Sequence, residues 1–243
     1  MGWWWSNDAV NMLSGVLVGV ILSNRNTTLL HELKRIGVEN IFSLTHVAFE
    51  AMPEDCRMDG VLQAQNYTPT LKSISTTASH LKALRIACRK SPQGTPFIIL
   101  EDDAMLEYVP YWNRPLLEEL RALPTEWGAF NMGTSFSLYS HLPSQSQVLN
   151  WSSRLWGIYA VAYNPAVACG VRDVLRCAPA DHAIYASMPS FVAWPPLFGH
   201  DYSLPSTVQA PRVTDFTHFR GRAHEAHVRR FWFRSTRLRR SEL

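Results

Sequence analysis

The sequence predicts a single α/β domain whose mostly parallel sheet is flanked by helices. Three observations carry that expectation. Apolar runs of strand length alternate with stretches of helical spacing along most of the chain, the pattern of α/β proteins. The first such group places strand, helix and strand within about 30 residues, a βαβ unit whose natural home is a parallel sheet. At 243 residues and 47% hydrophobic content, the chain suits one domain with an ample core and is far from a disordered composition.

The elements follow in order. After the leader MGWWWSND, the run SGVLVGVILS is apolar without alternation, as in a strand buried on both faces. In NRNTTLLHELKRIG the residues Leu29, Leu30, Leu33 and Ile36 recur at helical spacing; Asn26 or Thr27 can cap the start and Gly37 can end it. ENIFSLTHVAF returns as a second strand. Glu54 to Thr70 is polar and lacks period, hence a loop. A helix is expected near STTASHLKALRIACRK, with Leu81, Leu84, Ala87 and Cys88 on one face. SPQGTP breaks it, and FIILEDDA enters as the third strand. Pro110 suits the first turn of a helix that includes Leu116, Leu117 and Leu120. WGAFNMG and WGIYAVAY read as strands on either side of the Ser-rich SLYSHLPSQSQVLNWSS, a loop long enough to serve as a lid or acceptor loop. NPAVACGVRDVLR is a helix with Asn164 as cap and Pro165 at its first position, and PSFVAWPP is a short late strand. Without repeats or an internal boundary, the organisation is a leader over 1–14, one domain over 15–219 and a tail over 220–243.

Charge is distributed unevenly. From Arg220 to Leu243 eight arginines face Glu225 and Glu242, a net of +6, so the remainder of this +3 chain carries −3. Such a tail can contact an anionic membrane surface, phosphate or nucleic acid, the last being the least favoured; the plainer reading is a solvated helix whose Phe231, Trp232 and Phe233 pack on the body. Gly2 and Ser6 match a loose myristoylation spacing. The four cysteines are too few for a disulfide scaffold and form no CxxC pair. They look unpaired, and no segment reads as a signal peptide or reaches the roughly 20 apolar residues of a membrane helix. Both points favour a cytoplasmic protein, with peripheral membrane attachment through the tail as the variant.

The informative chemistry lies in FIILEDDA. An apolar strand ends in three consecutive carboxylates, Glu101, Asp102 and Asp103. Strand alternation puts Glu101 and Asp103 on one face and Asp102 on the other. Ligands of open α/β sheets bind beyond the carboxyl ends of strands, where these acids fall. Three neighbouring carboxylates repel one another unless a cation compensates. A hard ion such as Mg²⁺ or Mn²⁺ takes one or two carboxylates together with phosphate oxygens. The residues therefore suggest a metal-assisted phosphate or diphosphate site, against the alternative of a solvated acidic turn.

The order of motifs resembles glycosyltransferase family 25, the lipooligosaccharide-type and procollagen-type galactosyltransferases. ILSNRN is similar to the family's opening strand with its Asn and Arg, here Asn24 and Arg25. TASHLKALRIA is similar to its Ser-His helix, here Ser79 and His80, and FIILEDDA to its Glu-Asp-Asp motif. WGIYAVAYNPAVACGVRDVL, PADHAIY with Asp181, and PPLFGHDYSLPST complete a match from Val16 to Thr207. Two departures stand in it: STTA precedes Ser79 where the family often has a Gly-Cys element, and His200 stands at an expected Gln.

The resemblance implies a GT-A type single domain with a Rossmann-like sheet. It implies an inverting, metal-dependent transfer of a hexose such as galactose from a UDP-sugar to a glycan or glycoconjugate hydroxyl, with Mn²⁺ or Mg²⁺ as cofactor. Asp103 becomes the leading metal ligand, with Glu101 shared among metal, waters and donor and His200 completing the shell or touching a phosphate. Asn24, Arg25, Ser79, His80, Glu101 and Asp102 are the expected donor contacts. The general base is expected at Asp181, whose alternative is helix capping, or second at Asp201. Trp112, Trp127, Trp151, Trp156 and Trp194 are candidate sugar-stacking surfaces or core, with Trp151 and Trp156 the leading acceptor contacts. The competing functions are a nucleotidyltransferase and a catalytically silent binding module.

Overall fold

The computed structural model describes residues 12–22, 28–48, 70–91, 94–134, 146–152, 155, 157–171, 178–201 and 226–232. Seven strands form one sheet: β1 (Leu17–Leu22), β2 (Ile41–Thr45), β3 (Phe97–Glu101), β5 (Ala129–Asn131), β6 (Gln147–Asn150), β7 (Ala160–Tyr163) and β8 (Ser190–Trp194). Their order is β2-β1-β3-β7-β5-β8-β6, and β4 (Ala104–Met105) pairs separately with β9 (Gly199–His200). β1 pairs in parallel with β2 and β3, and β5 with β8, whereas β7 and β6 run against their neighbours. The sheet is thus mostly parallel, with one reversed strand inserted at its centre and another at its edge.

Helices cover both faces because β3 and its neighbours alternate without a polar break. Ile98 and Leu100 join Val18, Val20, Leu29, Leu33 and Leu116 on one side. Phe97 and Ile99 join Ala83, Leu84, Ala87, Tyr163 and Ile184 on the other. The first side is covered by α1 (Thr28–Arg35) and α3 (Leu116–Arg121), the second by α2 (Leu71–Lys90) and α5 (Ala180–Tyr185). Gly37 ends the α1 turn at φ +80°, a backbone region that costs glycine little.

Several boundaries differ from the sequence expectation. α2 begins at Leu71, earlier than STTASH suggests, because Thr70 and Ser73 form a reciprocal capping box. Pro110 sits in a separate 3₁₀ turn (Val109–Tyr111), and α3 begins only after Pro115. Asn164 caps α4 (Pro165–Ala168) as expected, its side chain accepting the Ala166 N–H at 3.1 Å. QVLN, read as part of the Ser-rich loop, is the edge strand β6, specified by its pairing with β8 rather than by its own pattern.

The basic tail is not wholly separate from the body. Residues 226–232 are helical; Val228 and Trp232 are buried, and Trp232 stacks on Tyr108 with ring centres 6.2 Å apart. Arg229 pairs with Glu107 at 3.0 Å. Arg230 is exposed on the same helix; the other tail arginines lie outside the described residues, as do Gly2, Ser6 and Phe233. A second correction concerns the cysteines. Cys88 and Cys169 form a disulfide tying the end of α2 to the turn after α4. That removes the unpaired-thiol argument for a cytoplasmic location, since disulfides are rare in that compartment. Among the described residues no helix is long and apolar enough to cross a membrane.

Candidate functional site

From β1 the chain passes to β2 on one side and then returns to β3 on the other, which puts a topological switch point, where open sheets form a crevice, at the carboxyl ends of β1 and β3. Such switch points are where open α/β sheets take ligands. Leu22 closes β1 and Glu101 closes β3, and the His46 N–H donates to the Leu22 carbonyl at 2.9 Å. Asn24 and Arg25 follow β1 directly in sequence but lie outside the described residues.

The three acids part company there. Glu101 continues the Phe97–Ile99 row toward α2 and meets His80 Nε2 at 2.8 Å. Asp102 and Asp103 form a turn, so strand alternation stops applying after Glu101. Asp102 is buried. The β4–β9 ribbon sets His200 opposite Ala104, which brings His200 Nε2 to 3.3 Å from Asp103 Oδ2. The Asp201 N–H donates to the Asp103 carbonyl at 2.8 Å. Of the expected trio, Glu101 is engaged by His80, and Asp103 pairs with His200. Among the described residues no three His, Cys, Asp or Glu side chains converge as a metal shell.

What remains is a two-residue donor set. Asp103 Oδ1 is buried and accepts no hydrogen bond, an uncommon state for a carboxylate oxygen. About a quarter of the Asp103 side chain is nevertheless open, 26% against 20% for His200, so the pair is partly exposed and not sealed in the core. Burial pulls the Asp103 carboxyl upward, but the charge and hydrogen bond of His200 outweigh it and hold the group below the ordinary carboxylate value. An ionised carboxylate with one unused oxygen beside an imidazole fits an ion that draws its other ligands from phosphate and water.

Ser79 and His80 have different fates although adjacent. Ser79 is buried; its hydroxyl donates to the Ser75 carbonyl at 2.7 Å and accepts the Val47 N–H at 2.8 Å. It joins α2 to the chain leaving β2. His80 is also buried, and its reach to a ligand runs through Glu101. His46, which sequence reasoning passed over, lies beside this pair with Nε2 3.4 Å from the Thr76 hydroxyl. Burial lowers its pKa, against the opposing pull of Glu101. Its position one residue past a parallel strand was the available signal.

Asp181 braces the backbone. Its Oδ2 accepts the Gly157 N–H at 3.2 Å and its Oδ1 the His182 N–H at 3.0 Å. The Gly157 carbonyl in turn accepts from Asn131 Nδ2 at 2.9 Å and the Tyr185 hydroxyl at 3.0 Å. Burial raises the Asp181 carboxyl, with His182 and the backbone bonds opposing it. The folded state therefore binds this proton more tightly than the unfolded chain does. The associated stability is complete below the unfolded value and is lost as pH rises through the raised folded value. Asp181→Asn should flatten that decline on the alkaline side of the unfolded carboxyl value of about 4, while losing one backbone acceptor worth about 1 kcal/mol. Urea unfolding across that range checks it; an unchanged pH slope in the variant would refute the assignment.

Of the candidate tryptophans, Trp112, Trp127 and Trp194 are buried in the core. Trp151 is half-buried and packs edge-on against His182 with ring centres 5.6 Å apart, while Trp156 lies outside the described residues. Set against known proteins, the chain matches no family model and no curated protein.

Proposed function

We propose that the chain is a metal-dependent, inverting glycosyltransferase of GT-A type, similar to family 25, that moves a hexose such as galactose from a UDP-sugar to an acceptor hydroxyl. The observation that carries this reading is the Asp103–His200 pair beside the β1–β3 crevice, with Asp103 Oδ1 buried and unpartnered. Asp103 and His200 are the residues that would hold Mn²⁺ or Mg²⁺, whose charge offsets the negative charge gathering on the diphosphate as the glycosidic bond breaks.

The chain's own groups divide the remaining work. Glu101, oriented by His80, accepts from donor hydroxyls; Asn24 and Arg25 take the nucleotide by the resemblance. Inversion requires one displacement with a base at the acceptor hydroxyl. Asp201, next to His200, is the base we propose, with Asp181, whose oxygens accept the Gly157 and His182 N–H groups, as the alternative. Asp201 follows His200 directly and is half-buried.

A thermal-shift screen of nucleoside diphosphates and nucleotide sugars, each with Mn²⁺, Mg²⁺ or chelator, tests the reading. UDP or a UDP-sugar at about 100 times its Kd should raise Tm by about 5–10 °C, and only with metal. A flat response from folded protein to every donor would count against it.

A further inference from the structure

Tyr159 stands just before β7 at the point where three parts of the site meet. Its ring lies so close to the Gly133 backbone that a Cβ at position 133 would fall inside the ring's van der Waals envelope. That approach is clamped from both sides by Asn131. Its Oδ1 accepts the Gly133 N–H at 2.9 Å, and its Nδ2 donates to the Gly157 carbonyl at 2.9 Å. The Tyr159 carbonyl accepts the Glu101 N–H at 2.9 Å, which ties the same residue to the end of β3. The same ring meets His200, with ring centres 4.8 Å apart and planes inclined by 63°. His200 then reaches Asp103.

We propose that Tyr159 is a positioning residue: its ring, seated on the Gly133 backbone, sets the orientation of the His200 imidazole and so aims Nε2 at Asp103. A ring held between a glycine and a strand end has little freedom to rotate, and an edge-to-face contact restricts the imidazole in turn. Gly133 is required as glycine for its lack of a Cβ, which lets the tyrosine ring lie flush with the backbone. The consequence for metal and diphosphate rests on the function proposed above; the orientation of His200 does not.

The test separates the two. In metal-free protein labelled with ¹⁵N-histidine, His200 should show one tautomer, with the proton on Nε2, and a nuclear Overhauser contact to the Tyr159 ring. A His200→Ala variant assigns the signal. Tyr159→Phe should preserve this state, whereas Tyr159→Leu and Gly133→Ala should each move the ring nitrogens toward the averaged values of a free imidazole. In a Mn²⁺ titration with UDP followed by electron paramagnetic resonance, Tyr159→Leu should weaken binding by about 10–100-fold, as loss of a supporting contact does. Absence of the Overhauser contact in the wild-type protein, or an unmoved His200 signal in folded Tyr159→Leu or Gly133→Ala, overturns the proposal. If His200 responds as stated but the wild-type protein binds no Mn²⁺ with UDP, the positioning role stands and the metal-site reading falls.

Discussion

Asp103→Ala is expected to abolish metal-dependent nucleotide binding and to lower sugar transfer by about a thousandfold or more, the scale set by losing electrostatic stabilisation at a developing charge. The side chain lies in a turn and is 26% exposed, so its removal leaves the packed sheet intact. The effect should therefore appear in binding and turnover with little change in melting temperature. Calorimetry of UDP with Mn²⁺ and with chelator, beside a transfer assay, measures both. Wild-type metal-dependent UDP affinity in the variant would exclude Asp103 as the ligand, and with it the function proposed for this crevice.

The second large effect concerns the base. Asp201→Asn should keep nucleotide binding and lower transfer by about 10²–10⁴-fold, the range for a lost general base. Asp181→Asn should instead alter the pH dependence of stability and leave transfer within about tenfold of wild type. The expectation for Asp181 follows from its hydrogen bonds. Both Asp181 oxygens face backbone N–H groups at 3.0–3.2 Å, and 7% of the residue is exposed. A carboxylate so engaged must break a protein contact before it can accept an acceptor proton. If Asp181→Asn binds UDP, folds and fails to transfer while Asp201→Asn transfers normally, the roles are exchanged.

How much of this was legible beforehand depended on the range of the interaction. Leu29, Leu33 and Gly37 announced α1 because periodicity and a left-handed stop are local properties. β1 and β3 were legible as unbroken apolar runs, the signature of strands covered on both faces. The edge strand β6 was not, since four largely exposed residues carry no apolar pattern and gain their order from β8. Within the site, the three acids marked the right strand end. Their partners were obscure because His80 and His200 stand about 21 and 97 positions from Glu101 and Asp103 in a chain whose contacts are set by topology. The disulfide escaped for the same reason: Cys88 and Cys169 are 81 residues apart and carry no spacing motif.

The sequence by itself determined that this protein is an α/β domain, and that its carboxylate cluster stands at the end of a buried strand. Both follow from patterns that a few neighbouring residues enforce. Only the tertiary structure decided that Glu101 and Asp103 serve different partners, because the turn at 102–103 ends the strand period and the β4–β9 ribbon imposes its own register. It also decided that Asp181 supports the backbone at Gly157 and that the Tyr159 ring touches both Gly133 and His200. Those relations depend on which strands become neighbours, a choice made by the burial of both sheet faces together rather than by any one segment.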